Sequence, residues 1–159
     1  MSRLLNLIDA LLKKLTIVCI ALMLIIVFAQ VITRYCFNYT PVFGEELSRY
    51  LFVWTVFLSL PLLARVGGHM AIETLTNRLK GARLKVCRSI ADIFSIIFLA
   101  IMVWNGCKMV MLTHFQTSPA MMLPMSYVYC VIPFGCFVML LYTVENLMNL
   151  LRTPADEVK

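Results

Sequence analysis

The sequence predicts an all-α integral membrane protein with four transmembrane helices, amphipathic interfacial helical segments, and cytoplasmic N- and C-termini. Three observations predict it. Four long apolar stretches fill most of the 159 residues and carry almost no internal charge. The composition is 62% hydrophobic with a mean hydropathy of +0.90, against about 45–50% apolar residues in an ordinary soluble domain. Lys and Arg gather between the stretches rather than inside them. A span needs roughly 20 residues, so residues 1–159 accommodate a single four-helix membrane domain and no added soluble one.

The first span is read at Leu15–Thr33, where Gln30 is the only strongly polar side chain. Its Leu, Ile, Val and Phe residues each favour insertion by about 0.3–0.6 kcal/mol at the helix centre, which outweighs Gln30. Before it, Leu4, Ile8, Leu11 and Leu15 recur at helical spacing among Arg3, Asn6, Lys13 and Lys14. That is the pattern of an amphipathic lead-in lying at the interface. The apolar run exceeds the roughly 7–15 residues of a signal peptide core, and no A-x-A site follows it, so an uncleaved span is expected.

The second span is placed at about 47–64, between Glu45, Glu46 and Arg49 at its start and Arg65 at its end. Gly67–Gly68 break the chain. A short amphipathic helix is expected from Met70 to Lys80, with Ile72, Leu75 and Leu79 on one face and Gly81 as its stop. The third span is placed at about 90–107, with Asp92 near its start and Lys108 at its exit. Residues Phe115–Val144 carry no charge, yet Pro119 and Pro124 argue against one continuous helix. An irregular apolar loop near Pro119–Leu123 is therefore expected, then a span over about 124–145 that Pro133 kinks or loosens. Such a loop suits burial against protein or the membrane interface better than water.

Eleven of the 14 Lys and Arg fall on the side shared by both termini and the middle loop; Arg34, Arg49 and Lys108 fall on the other. The asymmetry orients the termini toward the cytoplasm. The net charge of +6 flanks apolar stretches, which points to anionic lipid rather than nucleic acid as its partner. Tyr35, Tyr39, Tyr50, Trp54, Trp104, Tyr127 and Tyr129 fall toward the outer span ends as an aromatic belt.

Several activities lack a sequence basis. The six cysteines form no CxxC pair and no metal-ligand spacing; a Cys36–Cys107 disulfide on the outer side is the one pairing considered. His69 and His114 fall at opposite membrane ends, separated by roughly 30 Å of hydrocarbon, so they cannot ligate one haem within the chain. No cofactor is expected. GxSxG, GxGxxG and GxxxxGK[ST] are absent, and no enzyme activity is expected. Asp92 is the only acid inside a predicted membrane segment, and pairing with Arg88 at i−4 settles a helix end better than it relays protons. Asp9 lies before the first span.

The densest polar constellation is on the outer side. Gln30 and Arg34 share a face at i, i+4, as do Glu45 and Arg49, while Glu46 and Arg49 are three apart. Helix capping and membrane anchoring account for each pair separately; a salt-bridge cluster joining spans or subunits accounts for them together.

The series Gln30-x-x-x-Arg34-Tyr35, Glu45-Glu46-Leu47-x-Arg49-Tyr50-Leu51-Phe52-x-Trp54, Arg65-x-x-x-His69, and Pro124 with Pro133 resembles the small, DctQ-type membrane subunit of tripartite ATP-independent periplasmic (TRAP) transporters. The likeness covers nearly the whole chain in length, span number and orientation, and EELxRYLFxW is its most specific piece. The resemblance implies a multi-pass protein of the bacterial inner membrane. It implies two partners, a large TRAP membrane subunit and a periplasmic substrate-binding protein that captures an organic acid, with uptake coupled to sodium. The small subunit would be a scaffold for the large one. Gln30, Arg34, Glu45, Glu46, Arg49, Arg65 and His69 carry over as candidates for holding the fold and the subunit contact. Two alternatives of other classes are a membrane anchor for an electron-transfer enzyme and a small homo-oligomeric exporter.

Overall fold

The computed structural model describes residues 2–39, 41–65 and 82–152. Its helices are α1 (Ser2–Phe37), α2 (Val42–Arg65), α3 (Ala82–Leu112), α4 (Met125–Tyr129) and α5 (Val131–Arg152), with a 3-10 turn at Thr113–Phe115. Among the described residues, four helical segments are long and apolar enough to cross a membrane: Leu7–Phe37, Val42–Arg65, Leu84–Phe115 and Met125–Leu151. The expected helix at Met70–Lys80, the Gly67–Gly68 break and His69 lie outside the described residues.

Helix α1 runs unbroken from the lead-in through the first span. At 1.5 Å per residue its 36 residues extend about 54 Å, well beyond a hydrocarbon core of roughly 30 Å. The lead-in is part of the bundle, because Leu12 is fully buried in the core. Asn38 ends the helix with φ 50, a left-handed conformation that Asn tolerates better than most residues. Pro41 then precedes α2, and Gly44 N–H bonds back to the Pro41 carbonyl at 3.0 Å.

The helices pack as an open row rather than a closed bundle. The long packed pairs are α1 with α2, α2 with α5, and α5 with α3; α1 and α3 form no such pair among the described residues. The fourth apolar segment therefore occupies an inner place, and α1 and α3 are the edges. The principal core joins Leu12 and Cys19 of α1, Leu58 of α2, and Val131, Val138 and Tyr142 of α5. Trp54, assigned to the aromatic belt from sequence, packs against this core. Cys36 and Cys107 are both free and lie on opposite edge helices, so the disulfide considered between them does not form.

Glycine and proline meet at both faces of α5. Pro61 lies inside α2 and has no N–H to offer the Phe57 carbonyl four residues earlier. Gly135 of α5 sits against that carbonyl so closely that a Cβ there would overlap the oxygen and lie 3.0 Å from the carbonyl carbon. On the other side, a Cβ on Gly106 of α3 would stand 3.3 Å from the Pro133 ring. Pro133 likewise leaves the Tyr129 carbonyl without its helical donor, and the helix is interrupted at Cys130 between α4 and α5. The next helical bond, Phe134 N–H to the Cys130 carbonyl, is long at 3.4 Å. The loosening expected at Pro133 thus takes the form of a break one turn upstream.

These contacts predict an order of effects. Gly135→Ala must push a backbone carbonyl away and should destabilise the protein by about 1–3 kcal/mol, as overpacking does. Gly106→Ala meets only a tight ring contact and should cost less. Melting temperatures of the two variants in mild detergent check the order.

Candidate functional site

Each end of the row carries a polar cluster. At the start of α2, the Ser48 hydroxyl donates to the Gly44 carbonyl and accepts from the Gln30 amide Nε2 at 3.1 Å. Gly44 lets the Gln30 side chain come this close, since a Cβ there would lie 2.6 Å from Nε2. Gln30 is thus a direct tie between α1 and α2, in a setting where side-chain hydrogen bonds help hold spans together.

Glu46 points the other way along the row. Its carboxylate accepts from the Ser118 hydroxyl, from the Ala120 N–H at 3.1 Å and from the Met121 N–H at 3.2 Å. These donors belong to the irregular segment between the 3-10 turn and α4. That segment is a compact hairpin: Ser118 N–H bonds to the Leu123 carbonyl at 2.9 Å, Met122 N–H to the Ser118 carbonyl at 3.0 Å, and Met125 N–H to the Gln116 carbonyl at 2.9 Å. Thr117 and Pro124 pair as an antiparallel bridge. Met122 holds φ 51, a conformation that costs free energy in a non-glycine residue and persists only where the surroundings impose it. An ionised carboxylate is an acceptor only, so one Glu46 side chain satisfies three donors that the hairpin turns toward it. Tyr50, one turn along α2, places its hydroxyl 3.5 Å from the Met125 sulfur.

Arg34, Glu45 and Arg49 are exposed, and none of them forms an ion pair among the described residues. The two carboxylates therefore take different roles, with Glu46 bound to the hairpin and Glu45 facing outward. Sequence spacing brought Glu46 to notice but not Ser118, Ala120 or Met121, because donors 72 or more residues away leave no local pattern.

The opposite end is held by Arg65. Its guanidinium lies 2.8 Å from Asp9 Oδ2 and 5.8 Å from the centre of the Tyr142 ring, so it links α2 to α1 and α5. Lys13 stands 3.5 Å from the same Asp9 oxygen. Asn146 donates to the Ala64 carbonyl at 3.2 Å, and Lys85 donates to the Leu151 carbonyl at 3.1 Å near the end of α5. Asp9 and Tyr142 were not candidates from sequence. A lone acid on an apolar stripe was the available signal for Asp9, since such a residue needs a partner when buried. In the 3-10 turn after α3, His114 Nδ1 lies 3.4 Å from the Ser126 hydroxyl, and the two line a groove with Val110, Met111, Phe115, Tyr127 and Cys130. Among the described residues, no three His, Cys, Asp or Glu side chains gather as a metal site. What the arrangement does is tie helices together at both ends of a largely apolar middle.

Two predictions follow from these clusters. Glu46→Ala should raise amide hydrogen exchange at Ala120 and Met121 by about tenfold or more, since bonds to a charged acceptor are lost, while Glu45→Ala leaves it unchanged. For the other end, Asp9→Asn combined with Arg65→Gln should lower the melting temperature by less than the two single changes together, because each single change strands a partly buried partner.

Residues 23–153 match the family model described as tripartite ATP-independent periplasmic transporters, DctQ component. A TRAP transporter small permease protein of Haemophilus influenzae is 39% identical over 88 residues, covering 54% of this chain and 55% of that relative. The chain thus spans little more than half the length of this relative. A second small permease protein of the same organism is 26% identical over 121 residues, covering 76% of this chain and 73% of the relative. The isethionate TRAP transporter permease protein DctMQ of Oleidesulfovibrio alaskensis is 26% identical over 141 residues, which is 84% of this chain and 22% of that protein. The family match takes in the Gln30 tie, the Glu46 hairpin and the Arg65 contacts to α5, so the chain that builds them belongs to the DctQ component family of TRAP transporters, as a small permease subunit that crosses the bacterial inner membrane several times.

Proposed function

We propose that this small permease subunit is the fixed scaffold of a sodium-coupled importer, bracing a large membrane subunit that carries an organic acid delivered by a periplasmic binding protein. The observation that carries the reading is the placement of charge. Asp9, Lys13 and Arg65 cluster at one end of the row, and Glu45, Glu46 and Arg49 gather at the other. Between those ends the helices are largely apolar, and the acid Asp92 is buried on α3 near the start of its span rather than at mid-depth. A transport path normally needs ionisable groups facing the bundle interior, so the moving, ion-coupled part is assigned to another chain. The DctMQ relative supports the association, because this chain corresponds to 22% of a much longer permease protein. The substrate named for that relative, isethionate, is an organic acid. The Lys and Arg asymmetry orients the Arg65 end to the cytoplasm and the Glu46 end to the periplasm.

Support here means geometry. Helices tied at both ends and touching through glycine in between form a rigid layer, against which a transport domain can slide while the layer stays put. The seven residues carried over from the resemblance act in this reading as structure rather than as a substrate site. Gln30, Glu46 and Arg65 tie elements of this chain; Arg34, Glu45, Arg49 and His69 are assigned to contacts outside the chain.

Reconstitution tests the proposal. The chain, its large subunit and the binding protein are placed in liposomes with an inward sodium gradient, and accumulation of a labelled organic acid is followed, with isethionate among those tried. Uptake should require all three proteins and collapse without the gradient. Transport by this chain alone would overturn the scaffold reading.

A further inference from the structure

We propose that the large membrane subunit packs on the Lys108 end of α3, over Met111, Leu112, Phe115 and the hairpin tip Met122, and that the outward face of α1 is left to lipid. This deepens the scaffold reading and rests on it.

Depth carries the argument. Lys108 turns its amine back over Trp104, 5.2 Å from the ring centre, and a Trp with a neighbouring Lys marks the membrane–water interface. Leu112 lies about 6 Å and Phe115 about 10 Å further along the helix axis. A second marker agrees with the first. Glu46 binds residues 118–121 directly, which sets the hairpin at the level of the exposed charges Glu45 and Arg49. Yet Met111 is 74% exposed, Leu112 77%, Met122 79% and Phe115 91%. Acyl chains cover only the hydrocarbon layer, so these side chains lie where lipid tails do not reach, and a large apolar patch facing water marks an interaction site.

The chemistry of the surface points to protein. Between α3 and α4 an open groove of about 560 Å³ is walled mainly by Val110, Met111, Phe115, Tyr127 and Cys130, with His114 and Ser126 as its polar members. Methionine and aromatic residues are the types enriched where proteins meet. Below the Trp104 level the same edge helix continues into the bilayer with exposed Phe94, Phe98 and Ile101. A surface that begins inside the bilayer and ends beyond it fits a membrane-spanning partner, whereas a soluble one could reach only its end. At hydrocarbon depth the outward face of α1 exposes Ile17, Val18, Leu24, Ile25 and Phe28, apolar side chains that acyl chains cover at that level.

Site-specific photo-crosslinking tests the assignment. The photoreactive amino acid p-benzoylphenylalanine replaces Met111, Phe115 or, as the contrasting position, Phe28, in the full chain expressed with its native partners. Membranes are irradiated and the adducts identified by mass spectrometry. Adducts with the large subunit at Met111 and Phe115, and none at Phe28, are expected. The double change Phe115→Glu with Met122→Glu should reduce co-purified large subunit at least tenfold while leaving the chain's own melting temperature unchanged. Large-subunit adducts at Phe28 alone, or adducts at Phe115 only with lipid, with a soluble protein or with a second copy, overturn the proposal. Failure of the unmodified chain to co-purify any large membrane subunit would instead sink the scaffold reading beneath it; intact co-purification with crosslinks elsewhere sinks this surface alone.

Discussion

The contact between Gly135 and the Phe57 carbonyl is the constraint on which the rest of the row depends. Within a bilayer, apolar side chains gain little by leaving lipid for one another, so helices associate through close approach and through satisfaction of polar groups. Pro61 frees a carbonyl in the middle of α2, and only a residue without a side chain can come near enough to cover it. That fixes α5 beside α2 at a single register. Everything else is then placed by neighbours: α1 by the shared core around Leu12, Leu58 and Tyr142, and α3 by Gly106 against Pro133.

An arrangement built in series has two consequences. The inner helices α2 and α5 are the better covered, and the edges α1 and α3 keep broad apolar faces. A closed four-helix bundle would bury its own seam and offer little to a partner. An open row leaves apolar surface uncovered on both edges. The cost is that no single interface can be lost without detaching the part beyond it, and the polar ties at each end answer that weakness. Gln30 and Ser48 reinforce α1 on α2 at one end, and Arg65 gathers α1, α2 and α5 at the other.

Much of this was legible in the sequence, and the illegible part has a common cause. Span number followed from hydropathy, and the irregular segment before the fourth span followed from Pro119 and Pro124. Local rules also foresaw a defect at Pro133. What they missed was pairing across distance. Nothing local links Pro61 to Gly135, which packs from far along the sequence against the Phe57 carbonyl that Pro61 leaves without its helical donor. Glu46 looked like half of an ion pair with Arg49, because i, i+3 spacing is visible in sequence while three donors in a hairpin are not. Asp9 was placed only in the amphipathic lead-in before the first span, because nothing local shows that Arg65 lies 2.8 Å away. The order of helices in the row was likewise hidden, since hydropathy counts spans without ranking their neighbours.

The different chemistry of the two ends bears on how a scaffold would work. At the Arg65 end the tie is a charge pair, partly buried, with Tyr142 beneath the guanidinium. Removing either member leaves a charge stranded, so this end resists opening. At the Glu46 end the carboxylate holds a hairpin rather than a helix, and the hairpin carries Met122 in a conformation it would not adopt alone. Glu46 therefore does more than close the row: it sets the shape of an apolar tip that faces away from the helices. A side chain so placed couples the internal order of the subunit to the surface it presents. Rigidity at that surface lowers the conformational entropy lost when a partner docks, and a static subunit can contribute to assembly in that way without moving.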